Sequence, residues 1–250
     1  VYVMEYHNNR IKVFDSSGAY LRSFGGYGSS NVYRDAPCNR WAYARQFTIY
    51  DDKIYIADTY NHRITALNLN GSCHWTGSGG GTGRARFYYP HAVAVDSSYV
   101  YVGYPNSFLS LLTKSGNQVR SPDYISLGGN LSYSWGMSLN SAGNKLVIAD
   151  YNKNRITEFT VSGTSISYSQ ATSTSYSSSN GYFRRPTDAA YDSSGNIYAL
   201  DLYGHRLQKF NSSLTYQAKT GSYSISSGFR YPYGMHIDSS DNIYVTDYYN

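Results

Sequence analysis

The chain has 250 residues, of which only 15% are charged, with a formal net charge of +5 and thirty tyrosines. That length supports one domain with ample burial, and apolar runs no longer than a strand exclude a helical membrane span. A charge this modest does not by itself mark a nucleic-acid binder, so the placement of the arginines matters more than their sum.

The chain opens on a strand hairpin over residues 1–14, with Glu5 before a polar turn and Arg10 after it. A further run follows at 20–24. The hairpin returns over 54–67 with Asp58 and Arg63, and in a worn form over 100–112, where Tyr104 and Phe108 hold the two anchor places. It returns again over 146–159 with Asp150 and Arg155, and over 197–210 with Asp201 and Arg206. A truncated copy with Asp247 fills 243–250. The anchors Arg10, Arg63, Phe108, Arg155 and Arg206 lie 53, 45, 47 and 51 residues apart. A third run precedes several hairpins, at 91–96, 188–192 and 234–238, joined to them by Asp-Ser-Ser-type turns. No segment sustains apolar spacing at a helical period. Four short strands per period of forty to fifty residues predict an all-β fold, a β-propeller of four-stranded antiparallel blades. Six hairpins predict six blades. The first lacks its inner strand and the last its outer two, so residues 1–250 are expected to be a single propeller domain cut from a longer chain.

Three segments share a pattern ahead of the innermost strand: Phe87 to Pro90, Phe183 to Pro186 and Phe229 to Pro232, each Phe-x-x-Pro. With Asn61-His62-Arg63 in the hairpin turn, the chain resembles the NHL-repeat β-propellers. Arg45 and Ser134 stand in the place of the proline in the second and fourth blades. Members of similar fold include peptidyl-amidating lyases, which the resemblance implies would use a Pro-His of the His91 type as a zinc ligand. The matching places in the other blades hold Gln46, Trp135, Thr187 and Tyr233, so His91 is a weak metal candidate standing alone. A lactonase-like calcium site would need convergent carboxylates, and the inner strands offer Asp188 alone. No cofactor is expected.

The recurring Asp58, Arg63, Asp150, Arg155, Asp201, Arg206 and Asp247 read as structural, because a site is needed once and these recur in blade after blade. Charges that do not recur are better candidates. Arg34, Arg40, Arg45, Arg84, Arg86, Arg184, Arg185 and Arg230 lie in connections from an outer strand to the next inner strand. Tyr33, Trp41, Tyr43, Tyr88, Tyr89, Trp135, Tyr231 and Tyr233 share those connections. Arg45, Arg86, Trp135, Arg184, Arg185, Arg230 and Tyr233 are the foremost ligand-binding candidates, since arginines beside aromatic rings suit sugars and anionic polymers. Phe87, Phe183 and Phe229 are expected to plug blade junctions. Gly77 to Gly83 leads into no helix and reads as a blade connection, not a phosphate loop.

Low charge with abundant hydroxyls and rings suits an extracellular or cell-surface protein. Cys38 and Cys73 are even in number and free to bridge or to stay as thiols. Sequons at Asn70, Asn130 and Asn211 are no more than chance supplies in so Asn- and Ser-rich a chain. The reading is a non-enzymatic interaction module for a protein or glycan partner, without membrane insertion. The alternatives are an RNA-binding propeller and a metal-dependent lyase- or lactonase-like enzyme.

Overall fold

A computed structural model of the chain describes residues 1–28, 37–77, 87–119 and 125–250. The first sheet joins β1 (Tyr2–Glu5), β2 (Arg10–Phe14) and β3 (Tyr20–Gly25) in that order. The second joins β4 (Phe47–Tyr50), β5 (Lys53–Asp58), β6 (Arg63–Asn68) and β7 (Cys73–Gly77). The third contains β8 (Ala92–Val95), β9 (Tyr99–Gly103), β10 (Phe108–Thr113) and β11 (Ile125–Ser126). The fourth runs β12 (Ser134–Leu139), β13 (Lys145–Asp150), β14 (Arg155–Ser162), β15 (Ser165–Ala171). The fifth runs β16 (Pro186–Tyr191), β17 (Ile197–Asp201), β18 (Arg206–Phe210), β19 (Tyr216–Thr220). β20 (Pro232–Ile237) and β21 (Ile243–Asp247) form a two-stranded hairpin. These antiparallel sheets are propeller blades. The expected count of six is corrected to five, because the sixth period supplies only an inner pair of strands.

Contacts divide the chain into two compact units, Val1–Tyr104 with Ser110–Tyr124, and Pro105–Leu109 with Ile125–Asn250. In the first unit, Ile11 and Val13 of β2 pack with Ile54 and Ile56 of β5 around Trp41, all buried. In the second, Val147 and Ile156 share a cluster with Ile197, Ala199 and Phe210 around Phe183. In β5 and β13 the strand is covered on both faces, so its run is apolar without alternation, whereas β2 alternates and buries only Ile11 and Val13. A ring from the connecting loop, Trp41 in one cluster and Phe183 in the other, then fills the junction. Phe87 and Phe183 plug as expected, with 1% and 0% of their surfaces exposed, while Phe229 is half-buried.

Trp41 corrects the sequence reading. It is no part of an exposed face but a fully buried plug, aligned by its parallel bridge to Tyr27 as Phe183 is by its bridge to Tyr176. Gly25, at φ +108°, makes room for it: a Cβ there would lie 2.5 Å from the indole ring. With Trp41 in the plug place, Ala44 takes the proline position and Arg45 the position held by His91 one blade on. The register is one residue different from the sequence assignment.

The inner strands begin on bulges. Pro186 pairs with Asp201 and Asp188 with Leu200, leaving Thr187 unpaired; Pro232 pairs with Asp247 and Gly234 with Thr246, leaving Tyr233 unpaired. Trp135 falls in the corresponding shift between Ser134 and Met137. A bulge re-aims the side chain it carries.

Cys38 and Cys73 are bridged, with Cα atoms 5.5 Å apart, tying the loop ahead of β4 to the outer strand β7 of the same blade. Closing a loop of 35 residues stabilises by roughly 3–5 kcal/mol in the chain-entropy picture. Cys38→Ser with Cys73→Ser is therefore expected to lower the thermal midpoint by about 8–15 °C. Scanning calorimetry with and without reductant checks this, and an unchanged midpoint counts against a bridge that stabilises the folded state.

Candidate binding cleft

The repeated acid and arginine are a fixture of each complete copy. Asp58 accepts the amide of Ala42 at 2.8 Å and the Arg63 Nε at 2.7 Å, with both side chains fully buried. Arg63 then donates to the carbonyls of Pro37 and Arg40. Asp201 accepts the Arg184 amide at 2.7 Å and Arg206 Nε at 2.9 Å, and Arg206 reaches the carbonyls of Ser178, Ser179 and Tyr182. Asp150 accepts the amides of Ser132 and Tyr133, with Arg155 Nε 3.8 Å away. Glu5 pairs with Arg10, and Asp247 accepts the Arg230 amide at 2.7 Å. Burial raises the carboxyls of Asp58, Asp150 and Asp201, and the amide and arginine donors oppose it. In the worn copy, Tyr104 donates instead to Ser110 Oγ at 2.9 Å.

A second repeated contact joins the hairpin turn to the loop of the following blade. Asn9, His62, Asn154 and His205 each precede the repeat's arginine and each adopt a positive φ, from 51° to 53°. Their side chains accept the amides of Tyr43, Tyr89, Arg185 and Tyr231, which also have positive φ. A bulky residue holds such a conformation only where its surroundings impose it. His205 accepts through Nδ1, so its proton resides on Nε2. These turn histidines are backbone latches.

In the first unit, Arg45 lies over the Tyr6 ring at 5.8 Å. Tyr6 and Tyr43 are in ring contact, as are Tyr43 and Tyr60. Gln46 Oε1 accepts the Val93 amide at 2.9 Å. His91 is buried, and burial together with the Arg45 charge depresses its imidazole to about 3. Among the described residues no three His, Cys, Asp or Glu side chains are placed to hold a metal ion. Arg86, with Arg34, Arg84 and Tyr33, lies outside the described residues, as does the glycine-rich connection beyond Gly77.

The second unit brings Trp135, Arg184, Arg185, Arg230 and Tyr233 together on aromatic neighbours. Trp135 stacks on Tyr151 at 4.3 Å and meets Tyr233 edge-on at 5.7 Å. Arg185 sits over Tyr151 at 4.9 Å and donates to Asn152 Oδ1. Arg184 donates to the carbonyl of Tyr203. Arg230 lies over Tyr249 at 5.4 Å. Leu202, Tyr203, Arg230, Tyr231, Tyr233, Tyr248 and Tyr249 line an open cleft of about 560 Å³. Its walls are the β17–β18 turn, the loop into β20 and the end of β21. The last two are held side by side by the Tyr248 and Tyr249 amides on the carbonyls of Tyr231 and Arg230, and the His205 latch on the Tyr231 amide ties the turn to the loop. Tyr203, Tyr248 and Tyr249 were not singled out by sequence. For Tyr203 and Tyr249 the signal was the aromatic residue two places after the repeated aspartate, seen also at Tyr60, and for Tyr248 the one directly after it, seen also at Tyr151.

Asp188 is the one acidic side chain on these inner strands near their starts. It accepts the amides of Met235 at 2.9 Å and Ala189 at 3.0 Å. Burial pushes its carboxyl up to about 7, against the pull of those amides. Gly136 is its other neighbour, where a Cβ would come within 2.4 Å of Oδ1.

Residues 183–210, the loop and hairpin that present Arg184, Arg185 and Asp201, match the NHL repeat family. The chain carries an NHL repeat on a β-propeller fold. No curated protein matches it in sequence. Among solved structures it is similar to a streptogramin B lyase at 14% identity and TM-score 0.67, covering 99% of this chain and 72% of that one. A catalytically inactive virginiamycin B lyase from Staphylococcus aureus, with quinupristin, has 14% identity and TM-score 0.65 over 98% and 72% of the two chains. A candidate 6-phosphogluconolactonase from Bacteroides fragilis has 14% identity and TM-score 0.59 over 94% and 69%. At such identities the likeness is one of fold.

Two expected outcomes follow from the ties and latches. Asp201→Ala leaves Arg206 buried without its carboxylate and should cost about 3–5 kcal/mol in denaturant unfolding. A loss under 1 kcal/mol would contradict the buried pair. Burial first, then the Arg184 charge, lowers the His205 imidazole below its ordinary value. Stability from this latch is complete above the unfolded histidine range and is lost as pH falls through it. His205→Asn, which copies Asn154, should therefore lose less stability than the parent between pH 7 and pH 5. Parallel pH profiles of the two proteins would refute the latch.

Proposed function

We propose that the protein is a non-enzymatic, extracellular or surface-bound module that binds an oligosaccharide in the tyrosine cleft of its second unit. One observation carries this reading: five tyrosines and an arginine surround a single open cleft of about 560 Å³. That size suits a small ligand or a few sugar units. Ring faces pack against the C–H faces of sugars, and phenol hydroxyls both donate and accept, as sugar hydroxyls do. The Cys38–Cys73 bridge supports an oxidising location. Tyr203, Tyr248 and Tyr249 are 39%, 48% and 56% exposed, so the rings are open to a ligand without unfolding.

Titration calorimetry against a panel of oligosaccharides tests it. Tyr249→Ala should weaken binding about five- to tenfold, the scale of one aromatic contact, while leaving the thermal midpoint within 2–3 °C. A protein that binds no oligosaccharide, or whose binding survives removal of both Tyr248 and Tyr249, would refute this reading.

A second reading, a lyase, draws on the fold likeness to streptogramin B and virginiamycin B lyases and on Asp188, a buried carboxyl poised near neutrality. Poised acids of this kind serve as proton-transfer groups. Incubation with quinupristin, followed by mass spectrometry, distinguishes the two. Turnover lost in Asp188→Asn would favour the enzyme.

A further inference from the structure

Arg230 is the guanidinium that lines the cleft. Its place is set from two sides: Asp247 holds its backbone amide, and its side chain lies over the Tyr249 ring. Among the described residues no carboxylate pairs with its guanidinium, and its Nε is buried without a hydrogen-bond partner. Asp247, the acid that holds its amide, directs its oxygens to the Arg230 amide and the Asn250 side chain. Arg184 and Arg185 carry no ion pair either; they donate to the Tyr203 carbonyl and to Asn152. Asp201, the other acid close by, is committed to Arg206. The cleft and its rim thus hold three arginines that the protein leaves unneutralised. A partly desolvated guanidinium without an anion is costly, and a carboxylate or sulfate meets its fork with two parallel hydrogen bonds.

We propose that Arg230 makes the cleft selective for acidic oligosaccharides, those carrying uronic carboxylates or sulfate esters. The inference rests on the oligosaccharide reading above and adds the ligand's charge. A sugar acid fits better than single-stranded RNA. The cleft's tyrosines meet mostly edge-on, with interplanar angles of 90° between Tyr203 and Tyr231, 67° between Tyr231 and Tyr249 and 80° between Tyr248 and Tyr249. Successive bases need ring faces presented in series along a groove. Five tyrosines around one pocket instead match a compact polyhydroxylated unit.

The test uses the full chain and four probes: an oligogalacturonate, a sulfated heparin oligosaccharide, a neutral xylo-oligosaccharide of similar length, and oligo-uridylate. At 50 mM salt the acidic sugars should bind at least tenfold more tightly than the neutral one. Raising salt to 300 mM should erode that preference and leave neutral binding unchanged. Arg230→Gln should abolish the preference, the acidic sugars losing at least tenfold in affinity and falling to the level of the neutral one, and Arg230→Lys should retain part of it. The two acidic arms separate carboxylate from sulfate recognition. Equal affinity for acidic and neutral sugars, or a preference that survives Arg230→Gln, would overturn the charge assignment and leave the oligosaccharide reading standing. Binding of none of the sugars would overturn both. Oligo-uridylate bound as tightly as the acidic sugars, through the same Arg230, would replace both with the RNA reading. If Arg230→Gln fails to fold, Arg230→Lys decides the question: an acidic preference undiminished in that variant overturns the assignment to Arg230.

Discussion

The cleft depends on a carboxylate at the end of a second strand that takes the amide of the residue just after the junction plug. Asp58 does this for Ala42, Asp201 for Arg184 and Asp247 for Arg230. A loop between blades would otherwise be a long surface connection with unsatisfied amides and freedom to move. The carboxylate ends that freedom at one atom, and in the complete copies the arginine partner gathers further carbonyls of the same loop. Arg184 and Arg230 therefore have their own amides held, and Arg185 stands next to one of them. Rigid placement of a side chain on a loop is what a binding site needs and what a loop alone does not provide.

Much of the fold was legible because its period is carried by short, distinctive residues. The apolar second strands, the aspartate that ends them and the arginine that starts the next are all sequence-local, so the hairpins could be bounded closely. The register of the second blade was less so. Trp41 does a phenylalanine's work and Ala44 a proline's, and only the burial of the indole against Gly25 reveals the alignment. Counting hairpins also overcounts blades, since a hairpin is half a blade and β20–β21 has no outer pair.

The site was half legible. Arg184, Arg185, Arg230, Trp135 and Tyr233 were visible as residues that break the repeat in connecting loops. The opposite wall, Tyr203 with Tyr248 and Tyr249, was hidden in the repeat itself, where a turn tyrosine looks structural. Nor does the linear order of residues show that the loop into β20 lies beside the β17–β18 turn. That juxtaposition comes from the His205 latch on the Tyr231 amide, a contact across 26 residues. The Cys38–Cys73 bridge was open in sequence for the same reason, because Cα separation is a property of the folded chain. Asp188 shows how one position changes character without changing geometry. Gln46 performs the equivalent amide capture with a neutral oxygen, whereas Asp188 does it with a group whose charge is costly where it sits.

The central claim is that strand-end carboxylates, Asp201 buried and Asp247 half-buried, immobilise the loops that carry the candidate arginines. Hydrogen–deuterium exchange resolved at the Arg184 and Arg230 amides tests it most directly. The account predicts exchange at Arg184 as slow as in the central strands β17 and β18, and at Arg230 slower than in the neighbouring loop residues. Exchange of both amides at the rate of an open surface loop would contradict it.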